Sequence, residues 1–243
     1  MITIEYVCTG NNGRSPMAEA IAKDYLHRQR LADKAFVCSS GSGLPPPFQV
    51  REYGDLQREM GQNLPIIKLA LENGIYQEPW RQEGARSVLE EGYLERRPDS
   101  ILLEGLVNYA VRVEGIFRDQ ALLEIGLVAA GKYHRPTVQG HEGLILTLSE
   151  SNAVQVREIY QVNRRGNLKP TITTLNQYAG MEGEVPNPFC QLLPAYRQVR
   201  DHLLAAVPKT IDRAVGEWVL GERLNRIVER NHFHEQIHFS LWL

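Results

Sequence analysis

Cys8 and Arg14 stand near the start of the chain, separated by Thr9-Gly10-Asn11-Asn12-Gly13 and followed by Ser15. An ionised thiol is a strong nucleophile, and a guanidinium can hold two oxygens of a tetrahedral oxyanion in its planar fork. Gly10 and Gly13 admit backbone conformations that a Cβ resists, so the N–H groups between them can converge on one point. A helix N-terminus directly after such a loop adds partial positive charge, which favours both a bound oxyanion and the Cys8 thiolate. The Ser15 hydroxyl can stabilise that thiolate as it leaves, and the Asn11 side chain can brace the loop by bonding its carbonyls. This set suits attack of sulfur on a tetrahedral anion held by main-chain amides, with Arg14 taking up charge that spreads over the oxygens.

The flanking sequence supplies the elements such a loop needs. Ile2-Thr3-Ile4-Glu5-Tyr6-Val7 is a β-branched and aromatic run that predicts a buried strand. Ser15 as N-cap, Pro16 at the first helical position and Glu19 in the first turn predict a helix to about Gln29. Ala18, Ile21, Ala22, Tyr25 and Leu26 form its inner face. Ala35 to Ser40 reads as a second strand, which completes a right-handed βαβ unit with the loop at the carboxyl end of the first strand. A bare Cys and Arg pair reads more simply as a buried thiol and a solvated cation. The strand before, the capped helix after and the two glycines between favour the chemical reading.

Val7-Cys8-Thr9-Gly10-Asn11-Asn12-Gly13-Arg14-Ser15-Pro16-Met17-Ala18-Glu19-Ala20 resembles the signature of the low-molecular-weight protein tyrosine phosphatases, a family that includes bacterial protein-arginine phosphatases and thioredoxin-linked arsenate reductases. The resemblance implies an α/β fold, a four-stranded parallel sheet flanked by helices. It also implies a phosphocysteine mechanism, with Cys8 as nucleophile, Arg14 as clamp and residues Thr9, Gly10, Asn11, Asn12 and Gly13 around the phosphate. Gly13 stands where many members carry a second cysteine, so a disulfide within the loop is impossible. Asn12 stands at the loop apex, where members selective for aromatic substrates usually carry an apolar residue. The choice between tyrosine and arginine phosphate therefore stays open.

The resemblance covers roughly residues 1–75 and 135–221, the expected phosphatase-like domain. Residues 51–74 predict one or two helices, the last beginning near Pro65 and stopped by Gly74. Residues 76–134 fall outside the resemblance and read as a helical insertion. Its helical runs are 81–96, 99–113 and 116–130, with Gly115 and Gly131 as breaks. A packing element or dimer surface and a lid over the phosphate loop are equally good readings of it. Residues 143–148 and 170–175 predict the third and fourth strands, with a helix from Ser149 to about Val162 between them. A striped helix from Leu192 to about Leu220, broken near Pro208, closes the domain. Residues 222–243 form an extension expected to add a strand or an intersubunit arm.

Gly183-Glu184-Val185-Pro186-Asn187-Pro188-Phe189 matches the family loop that carries an aspartic acid, a proline and an aromatic residue. By that match Asn187 occupies the position of the acid that protonates the leaving oxygen. An amide has no usable acidic proton, and loss of a general acid typically costs about 10²–10⁴-fold. Glu182 and Glu184 are candidate substitutes, though solvated loop carboxylates are the simpler reading. Phe189 fits the family's aromatic wall beside the substrate. Cys190 is a candidate resolving thiol for a redox role, with a small buried residue the simpler reading.

Composition bounds the rest. The 243 residues are 43% hydrophobic and 23% charged, with a net charge of −2. That is an ordinary globular composition, without the basic footprint that nucleic acid or an anionic membrane demands. The apolar stretch from Ile101 to Ala130 is interrupted by Glu104, Arg112, Glu114, Arg118, Asp119 and Glu124, so it does not span a bilayer. No leader fits before a strand that starts at residue 2, and three cysteines suit a reducing compartment, so a cytoplasmic protein is expected. No cofactor and no metal are expected. The histidines His232, His234 and His238 are weak ligands by their spacing. The expected partner is a phosphorylated protein or small phosphomonoester, and any homodimer would form through the insertion or the extension. The leading function is phosphomonoester hydrolysis with a weakened general acid. The alternatives are a pseudophosphatase that binds phosphate without turnover and an arsenate reductase-like protein.

Overall fold

The computed structural model describes residues 1–43, 53–76, 79–93, 100–129, 143–162 and 170–240. The break expected at Gly131 lies outside them, as do the side chains of the carboxyl-terminal histidines. Strand β1 (Ile2–Cys8) leads into helix α1 (Arg14–Arg28) and returns in β2 (Ala35–Gly41). Three helices follow, α2 (Tyr53–Glu72), α3 (Pro79–Leu89) and α4 (Ser100–Leu123). The chain then re-enters the sheet as β3 (Leu144–Thr147), α5 (Glu150–Val162) and β4 (Thr171–Thr174), and ends in α6 (Leu175–Tyr178) and α7 (Leu193–Ser240).

The four strands are parallel in the order β2-β1-β3-β4. The chain leaves β1 toward one side for β2 and later returns to its other side for β3. The carboxyl end of β1 is therefore a topological switch point, where open α/β sheets place their ligands. Alternation along the strands sends Ile4, Tyr6, Leu144 and Leu146 into the larger core, which α1, α2, α4 and α7 complete. Val7 and Ile145 face the other way, onto Val156 of α5. The sheet thus has helices on both faces, which explains why β3 is buried throughout, Thr147 included.

Several boundaries differ from the sequence reading. Helix α1 starts at Arg14 with Gly13 as its N-cap, because the Ser15 side chain is engaged elsewhere. Pro16 then falls in the first turn, where its missing N–H costs nothing. Helix α2 is continuous through Pro65 and ends at Gly74, whose φ of 65° lets Ile75 N–H reach the Ala70 carbonyl. Helix α4 runs straight through Gly115 and stops at Gly126 in the same way, with Leu127 N–H on Leu122 O. Helix α7 passes Pro208 and continues to Ser240, so the expected break there is not seen and residues 222–240 form no strand. Sequence stripes mark which face is buried, but a core packed on both sides of a proline or glycine overrides its helix-breaking tendency.

Helix α4 is no loose appendage. Val113, Phe117 and Ala121 form a buried stripe, and the Phe117 ring meets Tyr196 of α7 at 5.7 Å between centroids. It also packs along α2.

Candidate active site

Three elements converge on the loop between β1 and α1. On one side β2 continues into its turn: Ser42 N–H donates to the Cys8 carbonyl at 2.8 Å, and Gly43 N–H to the Thr9 carbonyl at 3.0 Å. Beside it, Asn152 in the first turn of α5 donates from Nδ2 to Thr9 Oγ1 and to Ser42 Oγ, both at 3.0 Å. Its own Oδ1 accepts from Ser149 Oγ at 2.8 Å. The entry to the loop is therefore fixed by groups that follow β2 and β3.

Inside the loop, Asn11 takes a left-handed conformation with φ 48°, a region that asparagine tolerates better than most residues. Its side chain is buried, and Oδ1 accepts from the Ser15 hydroxyl at 3.0 Å. The same hydroxyl lies 3.0 Å from Cys8 Sγ and 3.2 Å from the Ser40 carbonyl. It has one proton for three neighbours, so it can turn from an oxygen to the sulfur when the sulfur carries charge. This is why Ser15 does not cap α1. Cys8 and Cys38 are buried and Cys190 is half-buried, and none of the three is in a disulfide. Thr9 and Gly10 face solvent, whereas Arg14 is buried and donates from Nη1 to the Val185 carbonyl at 3.3 Å. That bond ties the loop to the Asn187 turn.

The far side of the loop is held by α4. Arg118, 1% exposed, donates from Nη1 to the Asn12 carbonyl at 2.7 Å and pairs through Nη2 with Asp119 at 2.7 Å. One turn earlier, Glu114 Oε2 accepts from Asn12 Nδ2 at 2.9 Å. A Cβ on Gly13 would stand 2.5 Å from Glu114 Oε1, so the glycine leaves the room that this carboxyl fills. Burial pushes the Glu114 pKa up, while the Asn12 bond and the Arg14 and Arg118 charges pull it back.

Sequence and structure meet on this loop. Residues 3–52 match the low molecular weight phosphotyrosine protein phosphatase family. The fold agrees with that match across most of the chain. A phosphorylated active-site serine mutant of the YwlE arginine phosphatase is 19% identical, with 87% of this chain and 95% of that one covered at a TM-score of 0.50. The arginine phosphatase DARP of drosophila is 16% identical over 88% of this chain and 97% of its own, at 0.52. The low molecular weight phosphotyrosine phosphatase VcLMWPTP-2 of Vibrio cholerae O395 is likewise 16% identical over 88% and 96%, at 0.51. No curated protein matches the sequence. The architecture is the phosphatase one, a four-stranded parallel sheet flanked by helices.

Of the residues expected in the site, Cys8, Asn11 and Ser15 share one bonded network, Asn12 is held from outside by Glu114 and Arg118, and Arg14 is tied to Val185. Asn187 is exposed, and its Oδ1 accepts from Phe189 N–H at 3.3 Å, so the amide shapes the turn. Phe189 packs partly into the core. Glu184 is turned away to accept from Glu150 N–H at 2.6 Å, and Glu182 is exposed. Cys190 has its pKa pushed up to about 11 by burial and by Glu114, which suppresses a resolving thiolate. Sequence reasoning missed Glu114, Arg118 and Asn152 as loop contacts. The signal was present for two of them: Glu114 and Arg118, spaced i, i+4, lie directly beside the apolar stripe Val113, Phe117 and Ala121, and charges so placed need a buried partner.

Proposed function

We propose that this protein hydrolyses phosphomonoesters, protein phosphotyrosine or a similar group, through a phosphocysteine intermediate. One observation carries the reading: a buried thiol at 3.0 Å from Ser15 Oγ, at the start of a strand-to-helix loop that ends in a buried arginine. The Cys8 sulfur attacks phosphorus in line with the ester oxygen, the P–O bond breaks and a P–S bond forms. Loop amides, the α1 N-terminus and Arg14 take up the charge on the phosphoryl oxygens. Water then attacks phosphorus, and the thiolate leaves toward the Ser15 hydroxyl. The phosphorylated serine in the YwlE structure supports phosphoryl transfer to the nucleophile of this fold. Asn187 cannot protonate the leaving oxygen, so substrates with good leaving groups should turn over best.

The testing experiment is hydrolysis of an aryl phosphate by the wild type and Cys8→Ser, with acid-quench trapping of labelled phosphoenzyme. Turnover that Cys8→Ser abolishes, together with a trapped thiophosphate, is the expected result. A wild type that binds phosphate yet releases no aryl alcohol would leave the pseudophosphatase reading, which the solvent-exposed Asn187 amide favours. The raised Cys190 thiol pKa speaks against the arsenate reductase reading.

A further inference from the structure

Glu114 is the one carboxylate that the structure brings against the phosphate loop from outside it, among the described residues. Its two oxygens have different surroundings. Oε2 accepts from the Asn12 amide, and an oxygen that accepts from an N–H is the poorer place for a proton. Oε1 lies over Gly13, in space that any side chain at position 13 would occupy, and the Arg14 charge acts on the same carboxyl. Cys190, three residues beyond Asn187, lies within the electrostatic reach of the same carboxyl. Glu114 thus touches the loop that would hold the phosphoryl group and acts electrostatically on the turn that lacks an acid.

We infer that Glu114, reaching in from α4, is the proton donor that Asn187 cannot be. The inference rests on the phosphatase reading. In the first step the P–O bond breaks, and the proton on Oε1 passes to the departing alkoxide or phenoxide as phosphorus bonds to Cys8. In the second step the Glu114 carboxylate accepts a proton from the attacking water, which restores the acid. The groups facing it are Asn12 and Arg14 of the loop and α1, Arg118 of its own helix, Cys190 of the turn and Tyr196 of α7. Burial outweighs the Asn12 hydrogen bond, the Tyr196 hydroxyl and the two arginine charges, so the carboxyl gives up its proton less readily than an ordinary glutamate.

Glu114→Gln tests this, because the amide oxygen can still accept from Asn12 and keep the brace. The assay compares an alkyl phosphate, a poor leaving group, with p-nitrophenyl phosphate, a good one, across pH. The expected result is a loss of about 10²-fold or more on the alkyl phosphate and little change on the aryl ester. The basic limb of the wild-type alkyl-phosphate profile, which reports the acid losing its proton, should vanish. Asn187→Asp placed in the Glu114→Gln background should restore alkyl-phosphate turnover. Equal losses on both substrates, or a surviving basic limb, would overturn the inference while Cys8-dependent turnover left the phosphatase reading standing. If wild type and Cys8→Ser were equally inert, the phosphatase reading itself would fall. Glu114→Asp serves if the glutamine variant does not fold: it should keep the basic limb at a lower kcat, and a profile without that limb would refute the role.

Discussion

Replacing Arg118 with methionine isolates the grip of α4 on the phosphate loop. Methionine keeps most of the stem volume and removes the guanidinium, so the Asn12 carbonyl loses the donor now 2.7 Å away. A hydrogen bond from a charged donor contributes about 1.5–3 kcal/mol, and an abandoned buried acceptor costs about 1–3 kcal/mol. These overlap in one measured difference, so Arg118→Met should destabilise the fold by about 2–4 kcal/mol. The Asp119 pair is a separate matter. Asp119 is 42% exposed on its side chain, and such pairs are worth about 0–1 kcal/mol. Asp119→Asn therefore serves as the control, with an expected change below about 1 kcal/mol. Urea unfolding measures both: with a slope of about 2 kcal/mol per molar, Arg118→Met should lower the midpoint by about 1–2 M. A midpoint shift no larger than that of Asp119→Asn would refute the claim that Arg118 holds the loop. So would a large shift in both variants, since the stability would then lie in the surface pair.

Other outcomes follow from the same contacts. Ser15→Ala should slow breakdown of the phosphoenzyme more than its formation, seen as a larger burst before a slower steady state, because the hydroxyl that meets the leaving sulfur is gone. Gly13→Ala should push the Glu114 carboxyl aside and lower alkyl-phosphate turnover, while the p-nitrophenyl phosphate rate changes less. Cys190→Ser should leave aryl-phosphate turnover intact within about twofold, and a Cys190-dependent reduction of arsenate would contradict this. His202 is held neutral by burial beside Asn176, which lowers its pKa in the folded state. The unfolded chain then binds the proton more tightly, so this contribution to stability is present above about pH 6.5 and falls away as the pH drops below it. His202→Gln should flatten that part of the stability profile in thermal melts.

The phosphate loop was legible because its requirements are local. Strand, asparagine and arginine lie within fifteen residues, but the left-handed residue of the loop is Asn11, and Gly10 and Gly13 do not use the backbone freedom expected of them. Gly74 could be read as a stop for the same reason, since a left-handed residue terminates a helix wherever it sits. The cap was misread because Ser15 had two competing uses, and the sulfur and Asn11 outweighed an N–H that a first turn can leave to solvent. Pro65 was read as lying near a helix start, and Gly115 and Pro208 as breaks, because local propensity cannot see the packing that carries a helix past them. Glu114 and Arg118 sit more than 100 residues from Asn12, and no spacing rule connects them to it. Only the placement of α4 against α2 and α7 brings them there.

One turn of α4 grips Asn12 twice, by its carbonyl through Arg118 and by its side chain through Glu114. The segment 76–134, set apart in the sequence, thus touches the loop directly. Trimming the chain to the part that resembles the phosphatases would take a strut away from the segment that carries Cys8, and the shortened protein would start life with the loop around Asn12 unsupported on one side.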